Sequence, residues 1–212
     1  MDDSHDKLRL ARLPPRVIAI GTSTGGPKAL EKILPLLPAD LPVSILIVQH
    51  MPPGSTGPLA ARLDTLCQVI VREAANNDLI ESGVVYIAPA GQHMTIYRRT
   101  ASQVNIRLSH SPEGTLHRPS VDVMMLSVAE VFRAYSMGII MTGMGTDGVL
   151  GMEAITRAGG TTLGQDESSS TAYGMPRACA RSGVLQRVVP LLQIPEQILQ
   201  ATRYRRRLAT VP

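Results

Sequence analysis

The chain has 212 residues, a hydrophobic content of 44% and a formal net charge of +4. That length and apolar content suffice for one substantial core, so a single main domain is predicted. No apolar run is long enough to span a bilayer and no signal peptide is visible, so we expect a cytoplasmic protein without membrane insertion. Aromatic residues make up only 3%, which argues against a stacked nucleic-acid groove and a nucleic-acid partner.

The two ends of the chain are predicted to lie outside the core. Residues 1–15 are polar and end in two prolines, which indicates a short leader or a linker remnant. We assign residues 16–200 to the folded domain and residues 201–212 to a basic C-terminal tail. The tail is interpreted as a solvated helix end, with an acidic partner as the alternative.

The first predicted unit is a buried strand, a sharp turn and a helix. Four apolar residues end at Ile20, and the Gly-Thr-Ser-Thr-Gly of residues 21–25 matches the Gly-x-Ser-x-Gly nucleophile elbow before a helix over residues 27–36. Ser23 is therefore a candidate nucleophile, with free helix amides to stabilise an oxyanion. Two alternatives remain: Ser23 or Thr24 only caps the helix, or the turn cradles a phosphate.

The second unit places a histidine at the same edge of the sheet. The apolar run over residues 43–48 predicts another buried strand, and Gln-His follows it directly before a helix over residues 56–66. In an open α/β sheet, ligands bind beyond the carboxyl ends of the strands. His50 is therefore expected to lie near Ser23.

The middle of the chain predicts shorter strands. Residues 69–72 and 84–88 indicate two more strands of the sheet. Residues 93–97 and 104–108, joined by a polar link, indicate an antiparallel hairpin appended to it.

A polar, proline-interrupted segment follows the hairpin and precedes a helix. Ser120 is the predicted N-cap of that helix. His117 and Arg118 form a candidate substrate-facing loop just before Ser120. The alternative is that both side chains are simply solvated.

A third buried strand, over residues 137–142, leads into a glycine-rich loop over residues 143–148 and a helix to about residue 158. Asp147 lies near the first turn of that helix, where a carboxylate would cap the free amides. Three glycines exceed what capping needs and indicate a close approach of the backbone to another group.

The last part of the chain adds a strand over residues 161–164, a helix after Tyr173 and a final helix over residues 196–205. Asp166 and Glu167 could be read as paired carboxylates for acid–base chemistry or a metal. Adjacent side chains point apart and no nearby histidine completes a ligand set, so a polar loop is the preferred interpretation.

Together these elements predict an α/β fold: a doubly wound, mostly parallel sheet with helices on both faces and an appended antiparallel β-hairpin. Ser23, His50 and Asp147 each follow a buried strand, so they are expected to meet at one edge as nucleophile, general base and orienting carboxylate. The order Ser, His, Asp differs from the Ser, Asp, His of α/β-hydrolases.

Several motifs in one order resemble the catalytic domain of the bacterial chemotaxis receptor methylesterases of the CheB type. They are Gly-Thr-Ser-Thr-Gly-Gly-Pro, Val-Gln-His-Met-Pro-Pro-Gly, Tyr-Ile-Ala-Pro, His-Arg-Pro-Ser-Val-Asp, Thr-Gly-Met-Gly-Thr-Asp-Gly, Gln-Asp-Glu and Tyr-Gly-Met-Pro-Arg. The resemblance implies that Ser23 is the nucleophile, His50 the base and Asp147 the third triad member. It also implies that Thr24 and Met144 lie beside the reaction centre, where their backbone amides form the oxyanion pocket.

The implied enzyme is a serine hydrolase that demethylates glutamyl methyl esters, and deamidates glutamines, on cytoplasmic helices of chemoreceptors. It would release methanol and need no metal or cofactor. Whether water attacks an acyl-enzyme or the ester itself stays open. Family members usually carry a receiver domain, which would here be a separate partner, removed or naturally absent.

Two other classes of function fit the sequence less well. A nucleotide-binding protein would need an acidic residue about twenty positions on, after a second strand, and none is found there. A non-catalytic docking module is disfavoured because all three triad positions are filled.

Overall fold

The computed structural model of the protein describes residues 13–204, so most of the predicted leader (1–15) and tail (201–212) lies outside the described residues. The strands are β1 (Val17–Thr22), β2 (Ser44–Gln49), β3 (Ile70–Glu73), β4 (Val84–Ile87), β5 (His93–Arg98), β6 (Val104–Ser109), β7 (Ser136–Ile140), β8 (Thr161–Gln165) and β9 (Arg187–Val189). The α-helices are α1 (Gly26–Ile33), α2 (Thr56–Leu66), α3 (Val121–Phe132), α4 (Val149–Arg157), α5 (Gly174–Arg181) and α6 (Ile194–Ala201).

Seven strands form one parallel sheet in the order β3-β4-β2-β1-β7-β8-β9. The predicted doubly wound α/β fold is confirmed, because this sheet has helices on both faces. Strand β9 was not predicted, because its three largely exposed residues lie at one edge of the sheet and form no continuous apolar run. The last helix was placed too late, since α6 begins at Ile194.

The central strand β1 shows why its apolar run is continuous. Ile18 and Ile20 face a core shared with α1, α2 and α6, whereas Val17 and Ala19 face the core under α3, α4 and α5. A strand covered on both faces favours apolar residues on both sides, and each fully buried Ile contributes roughly 1.5–3 kcal/mol. Within residues 13–204, no helix is long and apolar enough to cross a bilayer.

The hairpin of β5 and β6 forms a separate two-stranded antiparallel sheet. It packs on α3: Met94 and Ile106 are buried in the same core as that helix, and Ser127 Oγ on α3 accepts a hydrogen bond from the Ile96 amide at 3.1 Å. The hairpin therefore covers a helix rather than extending the main sheet. This packing brings His93, the first residue of β5, to the edge of the candidate site.

A crevice forms where the chain changes direction in the sheet. β1 lies between β2 and β7. The helix that follows β1 packs on one face and the helix that follows β7 packs on the other, so the loops beyond these two strands diverge. Such a switch point is where doubly wound folds bind ligands.

Candidate active site

Ser23 lies in a tight turn just beyond β1. Its amide donates to the Thr142 carbonyl at 2.9 Å, and its own carbonyl accepts from the Gly26 amide at 2.8 Å. Gly25, at φ 83°, is the N-cap of α1, and no side chain caps this helix. The interpretation that Ser23 or Thr24 merely caps α1 is therefore wrong, and the Ser23 side chain is left half-exposed at the crevice.

The loop after β7 lies against this turn. A Cβ on Gly143 would overlap Met175 Sδ and lie 2.8 Å from Ser23 Cβ, so the close approach expected from the glycines is real at this position. Within the part of the chain that the structure describes, the amides of Thr24 and Met144 donate to no protein acceptor. Met144 is 66% exposed, so its side chain lies largely in solvent.

His50 follows β2 and is fixed beside Ser23 by strand register. The His50 amide donates to the Thr22 carbonyl at 3.1 Å, which continues the parallel pairing of β1 with β2. Buried Gln49 strengthens this link, because its Nε2 donates to the carbonyls of both Ser23, at 3.0 Å, and His50, at 2.9 Å. One side chain thus joins the backbones of the candidate nucleophile and base.

His50 and Asp147 form a hydrogen-bonded pair. His50 Nε2 lies 2.9 Å from Asp147 Oδ2, and the two side chains are only 8% and 10% exposed. The other imidazole nitrogen, Nδ1, is buried without a hydrogen-bond partner. Among the described residues no hydrogen bond joins Ser23 Oγ to His50, so Nδ1 is the nitrogen that remains for the serine.

The Asp147 carboxylate is held at the N-terminus of α3. It accepts hydrogen bonds from the amides of Val121 at 2.7 Å and Asp122 at 2.9 Å, and from Ser120 Oγ at 2.9 Å. Asp147 was expected to cap the helix that follows it, but the N-cap of α4 is Gly148 without a side-chain cap. The sequence prediction chose the wrong helix, because α3 reaches the carboxylate only through tertiary packing.

These contacts set the charge of Asp147. Burial alone would raise the pKa of this carboxyl, but the hydrogen bonds from His50, Asp122, Val121 and Ser120 outweigh burial and lower its pKa to about 2. The positive end of the α3 dipole acts in the same direction. Asp147 is therefore ionised at neutral pH and can stabilise an imidazolium at His50.

Asp122 makes the reciprocal contact with α4. Its Oδ1 accepts from the amides of Gly148 at 2.9 Å and Gly151 at 2.8 Å. Burial, and then the nearby Asp147 charge, raise the pKa of Asp122. The first amides of α3 thus bind Asp147, which precedes α4, and the first amides of α4 bind Asp122, which lies on α3. This exchange fixes the loop that carries Asp147.

Both residues of the predicted substrate loop lie beside His50. The His117 ring stacks on the His50 ring, with centroids 4.0 Å apart and planes inclined by 20°. Burial, followed by the His50 charge, lowers the pKa of His117. Arg118 is exposed and lines a pocket of about 260 Å³ with His50 and His117.

His93 belongs to the support of the site and was missed as such. It is fully buried, its Nδ1 accepts from the Ser120 amide at 3.2 Å, and its Nε2 lies 3.2 Å from Thr115 Oγ1. Burial lowers the pKa of His93, which favours the neutral ring that this bonding requires. Its one sequence signal is a polar residue at the start of a predicted strand, whereas Gln49 ends one.

The candidate carboxylate pair lies in a polar loop of its own. Asp166 accepts from Ser168 Oγ at 2.7 Å and from the Ser169 amide at 3.1 Å. Glu167 pairs with Arg177 at 2.6 Å. Both carboxylates are engaged locally, in agreement with the polar-loop interpretation.

Comparison with known proteins places this geometry in a family. The family model described as CheB methylesterase matches residues 18–198. Among curated proteins, the "Protein-glutamate methylesterase/protein-glutamine glutaminase" of Moorella thermoacetica is 48% identical over 89% of this chain and 46% of its own length. A protein of the same name from Pyrococcus horikoshii is 44% identical over 89% of this chain and 51% of its own length.

A solved structure gives the same result. The crystal structure of the Thermotoga maritima CheB methylesterase catalytic domain aligns with a TM-score of 0.85 and 36% identity, over 89% of this chain and 99% of that one. The chain spans about half the length of the curated relatives it matches. Since the family model covers residues 18–198 and the solved catalytic domain aligns with 89% of the chain, the chain belongs to the CheB methylesterase family.

Proposed function

We propose that residues 16–200 form the catalytic domain of a protein-glutamate methylesterase that also deamidates protein glutamines. The substrate is the cytoplasmic helical part of a methyl-accepting chemoreceptor, and the mechanism is that of a serine hydrolase. Family membership supports the reaction class. The observation that carries the mechanism is the hydrogen bond between His50 and Asp147. His50 follows β2 and Asp147 follows β7, and both strands pair with β1, which ends just before Ser23.

In the first half of the reaction Ser23 Oγ attacks the carbonyl carbon of the glutamyl methyl ester. A serine hydroxyl hardly ionises at neutral pH, so His50 takes its proton through Nδ1 as the new C–O bond forms. Asp147, already ionised, stabilises the resulting imidazolium through Nε2. The amides of Thr24 and Met144 bind the oxyanion.

In the second half the tetrahedral intermediate collapses. His50 returns the proton to the methoxy oxygen, methanol leaves and a glutamyl ester of Ser23 remains. His50 then removes a proton from water, which attacks this ester and frees the receptor glutamate together with the serine hydroxyl. With a glutamine substrate the same steps release ammonia and leave the same product.

The loop of His117 and Arg118 is assigned to substrate contact at the pocket beside His50. In the described part of the chain, Arg118 forms no ion pair with a carboxylate and is exposed. A free guanidinium at this position suits a substrate whose ester is flanked by acidic side chains. Arg118→Ala is then expected to raise KM more than it lowers kcat.

The test is methanol release from a methylated receptor fragment by the wild-type chain and by Ser23→Ala. The variant is expected to lose activity by at least about 10³-fold, because the nucleophile is gone. Ser182→Ala, at an exposed serine just beyond α5, is the matched control. Equal activity in wild type and Ser23→Ala would remove the serine mechanism.

The acyl-enzyme step has its own measurement. Rapid acid quench followed by peptide mass spectrometry should find a glutamyl adduct on the peptide that contains Ser23. If turnover proceeds and no adduct accumulates on that peptide even in burst experiments, either deacylation is faster than acylation or water attacks the ester directly. If neither methanol nor ammonia is released, the chain is a docking module.

A further inference from the structure

His117 makes a specific contact with the candidate base. Its neighbours in the loop, Leu116 and Arg118, are exposed, Leu116 by 90%. His117 alone of these three is half-buried, and its ring lies over the His50 ring at a centroid distance of 4.0 Å. The loop therefore turns one side chain inward, onto the face of one imidazole.

His50 needs such a contact, because only one of its nitrogens is anchored. Nε2 is bonded to Asp147, whereas Nδ1 is buried and has no partner. A ring held by a single hydrogen bond can still tilt about its Cβ–Cγ bond, and tilting would change the direction in which Nδ1 points. A flat ring packed nearly parallel to one face opposes that motion, since tilting brings the two rings into overlap.

The charge of His117 is suited to this contact. The ionisable groups that face it are His50 at the end of β2, Asp147 after β7 and Arg118 in its own loop. Burial first, and then the positive charge at His50, lower the pKa of His117, while Asp147 opposes them. His117 thus stays uncharged when His50 holds the proton, and two imidazolium rings in contact are avoided.

We infer that His117 is a positioning residue: its uncharged ring, stacked on His50, holds the imidazole in the plane that directs Nδ1 to Ser23. This inference rests on the proposed function, because it requires His50 to act as the base. It differs from the substrate-loop role, since it acts on the enzyme's own imidazole and needs no contact with the substrate.

The test compares His117→Ala, His117→Phe and the control Glu113→Gln, an exposed change in the same loop. His117→Ala is expected to lower kcat about 10- to 100-fold while KM changes by less than about twofold, because the defect lies in alignment rather than binding. His117→Phe restores a flat, uncharged ring and is expected to recover most of kcat without altering the pH profile. Glu113→Gln should match wild type.

Two results would overturn the inference while leaving the proposed function intact. The first is a wild-type kcat in His117→Ala when Ser23→Ala is inactive. The second is a raised KM with unchanged kcat in both His117 variants, which would assign the ring to substrate binding. If Ser23→Ala keeps full activity, the proposed function fails and the inference falls with it.

A measurement without substrate separates alignment from general damage. The proton in the His50 Nε2–Asp147 hydrogen bond should give an NMR resonance that is sharp in wild type and His117→Phe and broadened in His117→Ala. Unchanged circular dichroism would show that the fold persists. If His117→Ala does not fold, His117→Phe decides alone: near wild-type kcat supports the inference, and a loss beyond about tenfold overturns it.

Discussion

Replacing Asp147 by Asn should damage stability and catalysis together, with a characteristic dependence on pH. The carboxyl has a pKa of about 2 in the folded protein against an ordinary value of 3.8. At 1.36 kcal/mol per pKa unit, its ionised form contributes about 2 kcal/mol to the free energy of unfolding. An amide also turns an NH₂ toward donors, and each buried donor left unpaired costs roughly 1–3 kcal/mol.

The pH dependence follows from the sign of the shift. Because the folded pKa is depressed, the electrostatic contribution is fully present above the ordinary value and is lost as pH falls toward about 2. Asp147→Asn should therefore lower the free energy of unfolding by about 2–4 kcal/mol at neutral pH. The penalty should shrink by about 1 kcal/mol near pH 3. Removal of the orienting carboxylate should also reduce kcat about 10³- to 10⁴-fold.

Urea denaturation of wild type and Asp147→Asn at both pH values measures the first effect, and methanol release measures the second. Asp64→Asn is the control, because this exposed carboxyl accepts one amide hydrogen bond, from Val71, that an Asn oxygen can keep. A penalty of equal size at neutral and acidic pH would refute the reasoning about the carboxylate charge. Activity within about tenfold of wild type would refute its catalytic role.

Two further changes probe the support of the nucleophile turn. Gly143→Ala should lower the free energy of unfolding by about 1–3 kcal/mol and reduce kcat, because the new Cβ has no room beside Met175 and Ser23. Unchanged urea unfolding and unchanged kinetics would contradict this close approach. Gln49→Met keeps the side-chain length but removes the donor shared by the carbonyls of Ser23 and His50. It should reduce kcat about tenfold with the fold retained by circular dichroism, and a wild-type kcat would show that strand register alone aligns the pair.

The sequence was most informative where the cause of structure is local. Continuous apolar runs predicted the central strands because a strand covered on both faces is buried mostly by apolar side chains, with polar ones confined to positions that find a partner near the strand ends. The bounds of α2 were predicted as the structure has them, and Ser120 is the N-cap of α3 as expected. The three candidate triad residues could be selected because each follows a buried strand, and parallel strands bring such positions to one edge.

Contacts between distant elements depended on packing that no local pattern encodes. Asp147 binds the amides of α3 rather than those of its own helix, although α3 begins 26 residues earlier at Val121. The stack of His117 on His50 joins two loops that sequence spacing leaves unrelated.

What the sequence by itself determined is therefore the order of elements, the buried strands and the polar residues that end them. What only the tertiary structure decided is which partner each polar group takes, because that choice depends on strand register and on how α3 and the hairpin pack. Gln49 illustrates the division: its place at the end of an apolar strand is visible in the sequence. Its two acceptors, the carbonyls of Ser23 and His50, follow from the pairing of β1 with β2.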